Sequence, residues 1–479
     1  MASLGHTKSL AAMLLAGTAL AVYGCGAAIA ADAGPAPVPA QAFGINVNGA
    51  AAAPPAGSPH IIVPPSDAQV PGAAHTNVKL LATPSGVVPP APGVFPVPPQ
   101  AANLIETPAS VACTYHIAPG FQQGCSPLSA TVTSQGGSRG IAVVTAYHNP
   151  NALGDLRIFS TYFNLPDPAF VYVYAPGAAG VPGCNNSSTP PSGVGTGWDL
   201  EGAMAVEAVH AMAPGATIWL VEAQSPSVAD ILRAVDTATA CIKPVGGQIV
   251  MPWGVPEFAA EASYDSHFNN SNVAYLSAAG DAPGVSYPAA SPYVVGVGGT
   301  TYSRNQGNGN FKSEAVWNDA FYGTGTGGGP SAYETLPSYQ NFAPLNQLLG
   351  SKRGTPDLSA LADPVNGFWV YNTTYQSGWA PVGGTGLATA LMGGYFNWAS
   401  FFWASSSKVL QNIYGLGQTG GIVGYTTNVK SGLCGPGGPL GGLGQGYNPL
   451  WIEKTYKNDQ AAPLTWDWCT GWGTPKGNY

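Results

Sequence analysis

The chain has 479 residues, of which 45% are hydrophobic and 8% are charged, and its formal net charge at pH 7 is −8. A charged fraction far below the roughly 25% of ordinary soluble domains, together with 65 glycines and 45 prolines, indicates a large apolar core joined by many long loops. No cluster of lysines or arginines stands out, which argues against a nucleic-acid partner because phosphate binding needs clustered cations.

Residues 1–30 have the pattern of a signal peptide. Lys8 precedes an uncharged apolar stretch over residues 10–23, and Ala28-Ile29-Ala30 offers a cleavage site with small residues. We therefore expect a secreted or periplasmic protein whose mature chain starts near Ala31. Two other interpretations stay open, namely a permanent membrane anchor and a lipoprotein modified at Cys25. No later stretch is long and apolar enough to span a bilayer.

Residues 31–106 are dominated by alanine, proline, glycine and valine. Proline fixes φ and removes a backbone donor, so this composition is a poor core former. We interpret the stretch as an extended linker or a degenerate prosegment, and we expect the ordered chain to begin near Thr107.

A single α/β domain is predicted for residues 107–479. Apolar runs typical of buried strands alternate with segments of helical periodicity. The strands are predicted at 140–147, 216–223, 248–254, 273–279 and 294–301, and two helices at 200–212 and 228–241. This alternation favours a mainly parallel sheet with helices on both faces and long Gly/Pro-rich loops.

Removing Cys25 with the signal segment leaves six cysteines in an exported chain, which favours disulfides. Six cysteines allow 15 pairings, and the sequence does not choose among them. Nearest-neighbour pairing would join Cys113 to Cys125, Cys184 to Cys241 and Cys434 to Cys469.

Several ordered motifs resemble those of the sedolisin (serine-carboxyl peptidase) family. The helical segment ending in Ala-Pro-Gly-Ala216, the strand end Ser277-Ala-Ala-Gly-Asp281 and the turn Gly383-Gly-Thr-Gly386 are similar to its three catalytic motifs. Further matches are Met251-Pro-Trp-Gly254 followed by Glu257, Glu261 and Asp265, Tyr287-Pro-Ala-Ala-Ser-Pro-Tyr293, Val297-Gly-Gly-Thr-Thr301, Val316-Trp-Asn-Asp319, Pro337-Ser-Tyr-Gln340 and Arg353-Gly-Thr-Pro-Asp-Leu-Ser-Ala360. The resemblance implies a subtilisin-like fold.

The resemblance also implies catalytic positions, of which two are retained and two are lost. Glu201 matches the general base, and Asp281 matches the aspartate of the oxyanion hole. Ala205 stands where the family has the aspartate that orients the base, and Gly386 stands where it has the nucleophilic serine. Because glycine cannot form an acyl-enzyme, we expect no hydrolysis by the family mechanism. Gly386→Ser is expected to restore little, and the addition of Ala205→Asp to do better.

Neighbouring polar residues are not expected to replace the lost groups. Glu207 and His210 lie on other faces of the helix than Glu201, and we interpret them as solvent-facing or cap-side groups. Asp199 is interpreted as an N-terminal cap. Thr385 is adjacent to the nucleophile position, but the turn that aims one residue at a scissile carbonyl aims its neighbour elsewhere.

The family's calcium site corresponds here to Asn428, Val429 and Asp467. One carboxylate and two carbonyl-supplying glycines are replaced, so we expect a degenerate site that binds calcium weakly if at all.

Three functional hypotheses follow. The first is an exported, proteolytically inactive sedolisin homologue that binds a peptide or protein as a monomer. The second is an active acid endopeptidase with an unrecognised nucleophile, and the third is a structural surface scaffold. The large folded propeptide of the family has no counterpart of sufficient length here, which fits the first hypothesis.

Overall fold

A computed structural model describes residues 59–82, 88–89, 104–120, 122–184, 189–193, 196–319, 324–343, 345–419, 434 and 466–475. All of them belong to one compact unit, Pro37–Tyr479. The proposed signal peptide and the proposed calcium ligands Asn428 and Val429 lie outside the described residues.

The strands, in chain order, are β1 Ile61–Ile62, β2 His75–Thr76, β3 Lys79–Leu81, β4 Gly140–Ala146, β5 Ala169–Tyr174, β6 Thr217–Ala223, β7 Gly247–Met251, β8 Trp253–Pro256, β9 Val273–Ala278, β10 Ser286–Tyr287, β11 Val294–Arg304, β12 Phe311–Val316, β13 Asn318–Asp319, β14 Thr324–Gly325, β15 Gly329–Thr335, β16 Lys352–Thr355, β17 Leu358–Leu361, β18 Phe368–Asn372 and β19 Gly378–Gly383. The α-helices are α1 Pro108–Thr114, α2 Ala152–Tyr162, α3 Trp198–Met212, α4 Val228–Val245, α5 Leu345–Leu349, α6 Thr385–Trp398 and α7 Ser406–Thr419.

The largest sheet has the strand order β12-β11-β9-β7-β4-β6-β5, and β17 also pairs with β11. Every pair in it is parallel except β11 with β12. Parallel neighbours need long crossovers, which α3 and α4 supply before and after β6. The predicted α/β fold with a mainly parallel sheet is confirmed.

Helices cover both faces of this sheet. All seven residues of β4 are buried, as expected for a strand enclosed on both sides. Its Ile141 and Val143 belong to the cluster that contains the apolar residues of α3 and α6, whereas Ala142 and Val144 belong to the cluster with α4. The pleat therefore sends alternate side chains to opposite layers.

The expectation that order begins near Thr107 is wrong for residues 59–82. Three short strands form there, and two of them join the rest of the domain: β2 pairs with β8, and β3 pairs with β19. Val78, Leu80 and Leu81 are at most 1% exposed. The Pro/Ala-rich composition of the surrounding residues predicts a linker. Burial of these three apolar side chains outweighs that local propensity and gives strands instead.

The three disulfides follow the nearest-neighbour pairing of the six cysteines outside the signal segment: Cys113–Cys125, Cys184–Cys241 and Cys434–Cys469. Disulfides are typical of oxidising compartments, so they are consistent with an extracellular location. Within the described part of the chain, no helix has the length and apolarity needed to cross a bilayer.

We expect none of these six cysteines to react with an alkylating reagent in the unreduced, denatured protein, because each is held in a disulfide. Peptide mass spectrometry with and without prior reduction checks this. Labelling of all six before reduction would contradict the disulfide assignment.

Candidate functional site

The site is built where β19 ends and α6 begins. Gly384, at φ 107°, makes the sharp turn between them, in a backbone region that favours glycine. Asp281 follows β9 and receives the start of α6: its Oδ1 accepts from the backbone N–H of Thr385 at 2.7 Å and from the Thr385 hydroxyl at 2.8 Å. The carboxylate thus caps the first turn of the helix.

Glu201 lies in the first turn of α3 and is completely buried. Its Oε1 accepts from the backbone N–H of Asn77 at 2.6 Å. Burial raises the pKa of Glu201 well above its ordinary value of 4.5, and the charges of Asp281 and Asp67 raise the pKa further. The other oxygen, Oε2, has no hydrogen-bond partner among the described residues.

Ala205 stands one turn after Glu201 on the same face of α3 and is fully buried. Its methyl group cannot accept or donate a hydrogen bond, so it gives Glu201 no orienting contact. An aspartate here would have been the natural partner for the orphaned Oε2.

Glu207 and His210 are fully buried, so their expected solvent exposure is wrong. Glu207 Oε2 accepts from the backbone N–H of Tyr371 at 3.0 Å, and His210 Nε2 lies 2.9 Å from the carbonyl of Pro166. Both ends of α3 pack inside the domain, which the helix pattern alone does not reveal. Neither residue contacts Glu201.

The interpretation of Asp199 as the N-cap is also corrected. The cap residue of α3 is Gly197, and Asp199 lies inside the first turn. Its Oδ1 nevertheless accepts from the Gly197 N–H at 3.3 Å, so the carboxylate still satisfies a donor at the helix start.

Gly386, the second residue of α6, has no room for a side chain. A Cβ atom added there would lie 2.7 Å from the carbonyl oxygen of Asn77 and 2.9 Å from that of Pro252, and 3.1 Å from the Met204 Cε. The Gly386 N–H donates to the same Asn77 oxygen at 3.1 Å. One residue, Asn77, therefore bonds to both Glu201 and Gly386.

Lys79 completes the site with a buried ion pair. Its Nζ donates to Asp281 Oδ2 at 2.9 Å and to Asp67 Oδ1 at 2.6 Å, and Lys79 is only 1% exposed. Burial alone would lower the pKa of Lys79, but the charges of Asp281 and Asp67 outweigh it and raise that pKa. Removing one partner of such a buried pair typically costs about 3–5 kcal/mol.

The structure brings Glu201, Asp281 and Gly386 together around Asn77 and Lys79. Neither Asn77 nor Lys79 is among the site residues predicted from the sequence. Those two residues and Asp67 lie in the stretch interpreted as a linker. One signal was present: residues 75–81, HTNVKLL, contain no Pro or Ala, and residues 77–80 alternate between polar and apolar side chains.

Asp467, the third proposed calcium ligand, does not fit a metal site. Its Oδ1 accepts from the backbone N–H groups of Cys469 and Thr470, each at 2.8 Å, and its Oδ2 accepts from the Thr470 hydroxyl at 2.5 Å. These local donors occupy both oxygens. No group of three metal-binding side chains occurs among the described residues.

We expect removal of calcium by a chelator to shift the melting temperature by less than about 2 °C, because Asp467 is committed to its own turn and the site has lost a charge. Differential scanning calorimetry with EDTA, and again with added CaCl₂, measures this. A drop of tens of degrees with EDTA, reversed by calcium, would demonstrate a working metal site.

Comparison with known proteins identifies the relatives. No family model matches the chain. It is 31% identical to kumamolisin of Bacillus sp. (strain MN-32) over 314 residues, which cover 61% of this chain and 52% of that protein. It is 34% identical to sedolisin of Pseudomonas sp. (strain 101) over 199 residues, which cover 40% of this chain and 28% of that protein. The similarity to these two proteins supports membership of the sedolisin family.

The fold agrees with this assignment. The structure of Pseudomonas sedolisin, a serine-carboxyl proteinase, in complex with two molecules of pseudo-iodotyrostatin superposes with a TM-score of 0.56 and 22% identity, covering 78% of this chain and 95% of that one. In sequence, this sedolisin homologue spans about half or less of the length of these two relatives.

Proposed function

We propose that this protein is an exported, proteolytically inactive sedolisin homologue whose fold is retained to bind a peptide or protein partner. One observation carries the proposal. The position that matches the nucleophile is Gly386, and the space that a side chain would need there is already filled by the backbone carbonyls of Asn77 and Pro252.

The states of the other groups support it. Glu201 has no orienting carboxylate, because Ala205 stands one turn after it on the same helix face, so no such partner holds Glu201 in position to take a proton from a nucleophile. Asp281 is surrounded by three donors, namely the Thr385 N–H, the Thr385 hydroxyl and the Lys79 ammonium. A residue that only accepts cannot donate a hydrogen bond to an oxyanion.

Thr385 offers no replacement nucleophile. Its hydroxyl donates to Asp281 Oδ1 and accepts from the Gly280 N–H at 3.1 Å, and the residue is fully buried. Full burial keeps this hydroxyl away from an external peptide bond, which weighs against the hypothesis of an active enzyme that uses this threonine.

We expect purified wild-type protein to produce no fragments from denatured casein between pH 3 and pH 7, because no nucleophile stands beside Glu201. Gel electrophoresis and release of acid-soluble peptides measure this, with the Glu201→Ala variant as the matched control. If the wild type hydrolyses casein and Glu201→Ala abolishes the hydrolysis, the proposal that the protein is proteolytically inactive is wrong. Hydrolysis that persists in Glu201→Ala would overturn the residue assignments as well.

A further inference from the structure

Residues 75–81, called the plug from here on, comprise β2, the link at residues 77–78 and β3, and they fill the groove of the candidate site. His75 and Thr76 pair antiparallel with Gly254 and Trp253 of β8. Four residues later, the plug pairs antiparallel with Gly383 and Val382 of β19. Its backbone is therefore hydrogen-bonded on both sides, as an extended peptide would be in a strand-binding groove.

The centre of the plug is Asn77, whose backbone and side-chain amide groups are directed at the site. The backbone N–H reaches Glu201 and the backbone carbonyl reaches Gly386. The side-chain Nδ2 donates to the carbonyl of Pro252 at 3.2 Å. The backbone carbonyl of Asn77, which is part of this chain, therefore lies where a substrate carbonyl would have to meet a nucleophile at residue 386.

Lys79 provides the charged anchor. Asp281, beside α6, and Asp67, in the preceding short 3₁₀ helix, hold the ammonium from two sides and form a lysine pocket. Two carboxylates within 3 Å of one ammonium recognise a cation strongly when solvent is excluded. The ammonium would lose its contact with Asp281 if the plug left the groove.

Apolar side chains also anchor the plug. Val78, Leu80 and Leu81 belong to the main hydrophobic cluster of the domain. Release of the plug would expose all three to water, in addition to breaking the Lys79 contacts. The plug is thus bound by main-chain pairing, by charge and by apolar burial at once.

We infer that the plug is a permanent internal ligand of this groove: it is retained in the folded protein, holds its lysine in the Asp67–Asp281 pocket and closes the groove between β8 and β19 to external extended peptides. A partner of the protein then binds outside the groove. The inference concerns access to the groove, which the reactivity of Lys79 reports whether or not the protein has peptidase activity.

Accessibility of the Lys79 amine tests the inference in the full-length protein. Native wild type is treated with an amine-acetylating reagent at pH 7.5, and acetylation of each lysine is measured by peptide mass spectrometry. We expect Lys79 to react at least ~100-fold more slowly than the exposed Lys312, since reaction requires local opening. Equal rates at the two lysines would overturn the inference.

The pocket is tested with Asp67→Asn, which keeps the size of the side chain and removes one anchoring charge. We expect Lys79 acetylation to rise at least ~10-fold in this variant. The matched control is Asp167→Asn, at a side chain that is 75% exposed on the surface, and it should leave the Lys79 rate unchanged. An unchanged Lys79 acetylation rate in Asp67→Asn would show that Asp67 does not hold Lys79 in the pocket.

Permanence is tested on the wild type with a labelled synthetic peptide of residues 74–82. The tethered plug competes at an effective concentration in the millimolar range, so we expect no saturable binding up to about 100 µM in fluorescence anisotropy. Saturable binding that unlabelled peptide displaces would show that the plug leaves the groove, and would overturn its permanence. Casein hydrolysis by the wild type that requires Glu201 would overturn both the proposed function and the permanence of the plug, whereas the Lys79 and peptide measurements test the plug alone.

Discussion

The Gly386→Ser variant is expected to be less stable than the wild type by about 1–3 kcal/mol and to show no peptidase activity. The new Cβ would lie within 3 Å of the carbonyl oxygens of Asn77 and Pro252, which are backbone atoms that cannot move away cheaply. The gain in helix propensity from replacing glycine, less than about 1 kcal/mol, does not offset this overlap. Thermal unfolding followed by circular dichroism measures the loss.

Two glycine variants separate the overlap from the general effect of replacing a helical glycine. Gly386→Ala adds the same Cβ without a hydroxyl and should be destabilised to a similar extent. Gly154→Ala, in α2, adds a Cβ that meets nothing within 4 Å and should be neutral or slightly stabilising. A stabilised Gly386→Ala would contradict the described packing around α6.

The double variant Gly386→Ser/Ala205→Asp is expected to remain inactive, although the sequence favoured it as the better repair. The aspartate introduced at position 205 would restore a partner for Glu201, but Asn77 would still occupy the groove. Casein hydrolysis at pH 3 to 7 is the readout. Activity of the double variant that disappears on adding Glu201→Ala would show that the plug yields to substrate.

We expect the protein to be markedly more stable at pH 4.5 than at pH 8, with a melting temperature about 10 °C higher. Burial raises the pKa of Glu314 and of Glu334 from 4.5 to about 7 each, and of Asp363 from 3.8 to about 6. The native state therefore binds more protons than the unfolded chain between about pH 4 and pH 7. The stability that these carboxyl groups contribute is fully present below their pKa values in the unfolded chain, and it is lost as the pH rises through their pKa values in the folded protein.

His75 works in the opposite direction and only partly offsets this. Burial lowers the pKa of His75 from 6.5 to about 4, so its neutral form contributes stability above pH 6.5 that is lost as pH falls towards 4. A shift of one pKa unit corresponds to about 1.4 kcal/mol, and the raised carboxyl groups outnumber the lowered histidines. The free energy of unfolding is therefore expected to be larger at acid pH.

Calorimetry at pH 4.5, 6 and 8 tests the expected pH dependence. The Glu314→Gln variant keeps the shape of a fully buried side chain and removes its titration, so it should reduce the difference between pH 4.5 and pH 8. The Asp167→Asn variant, at an exposed aspartate, should leave the difference as in the wild type. A wild type that is equally stable or more stable at pH 8 would contradict the raised carboxyl pKa values.

The sequence by itself determined the fold class, because parallel strands buried on both faces appear as continuous apolar runs such as residues 140–147. Its motifs also indicated which positions correspond to the catalytic residues of the sedolisin family. The structure brings Glu201 and Gly386 to Asn77 and brings Asp281 to Lys79, although the catalytic roles assigned to them stay a prediction. The disulfide pairing followed chain proximity and is the one observed.

Only the tertiary structure decided what fills the site. The contacts of Asn77 with Glu201 and Pro252, and of Lys79 with Asp281, join residues 124, 175 and 202 positions apart. No local pattern encodes such pairs, and the composition around residues 75–81 is that of a linker. The burial of Val78, Leu80 and Leu81 in a core formed by distant elements is what turns this short stretch into a strand. For the same reason, Glu207 and His210 are core residues here although their helix pattern placed them at the surface.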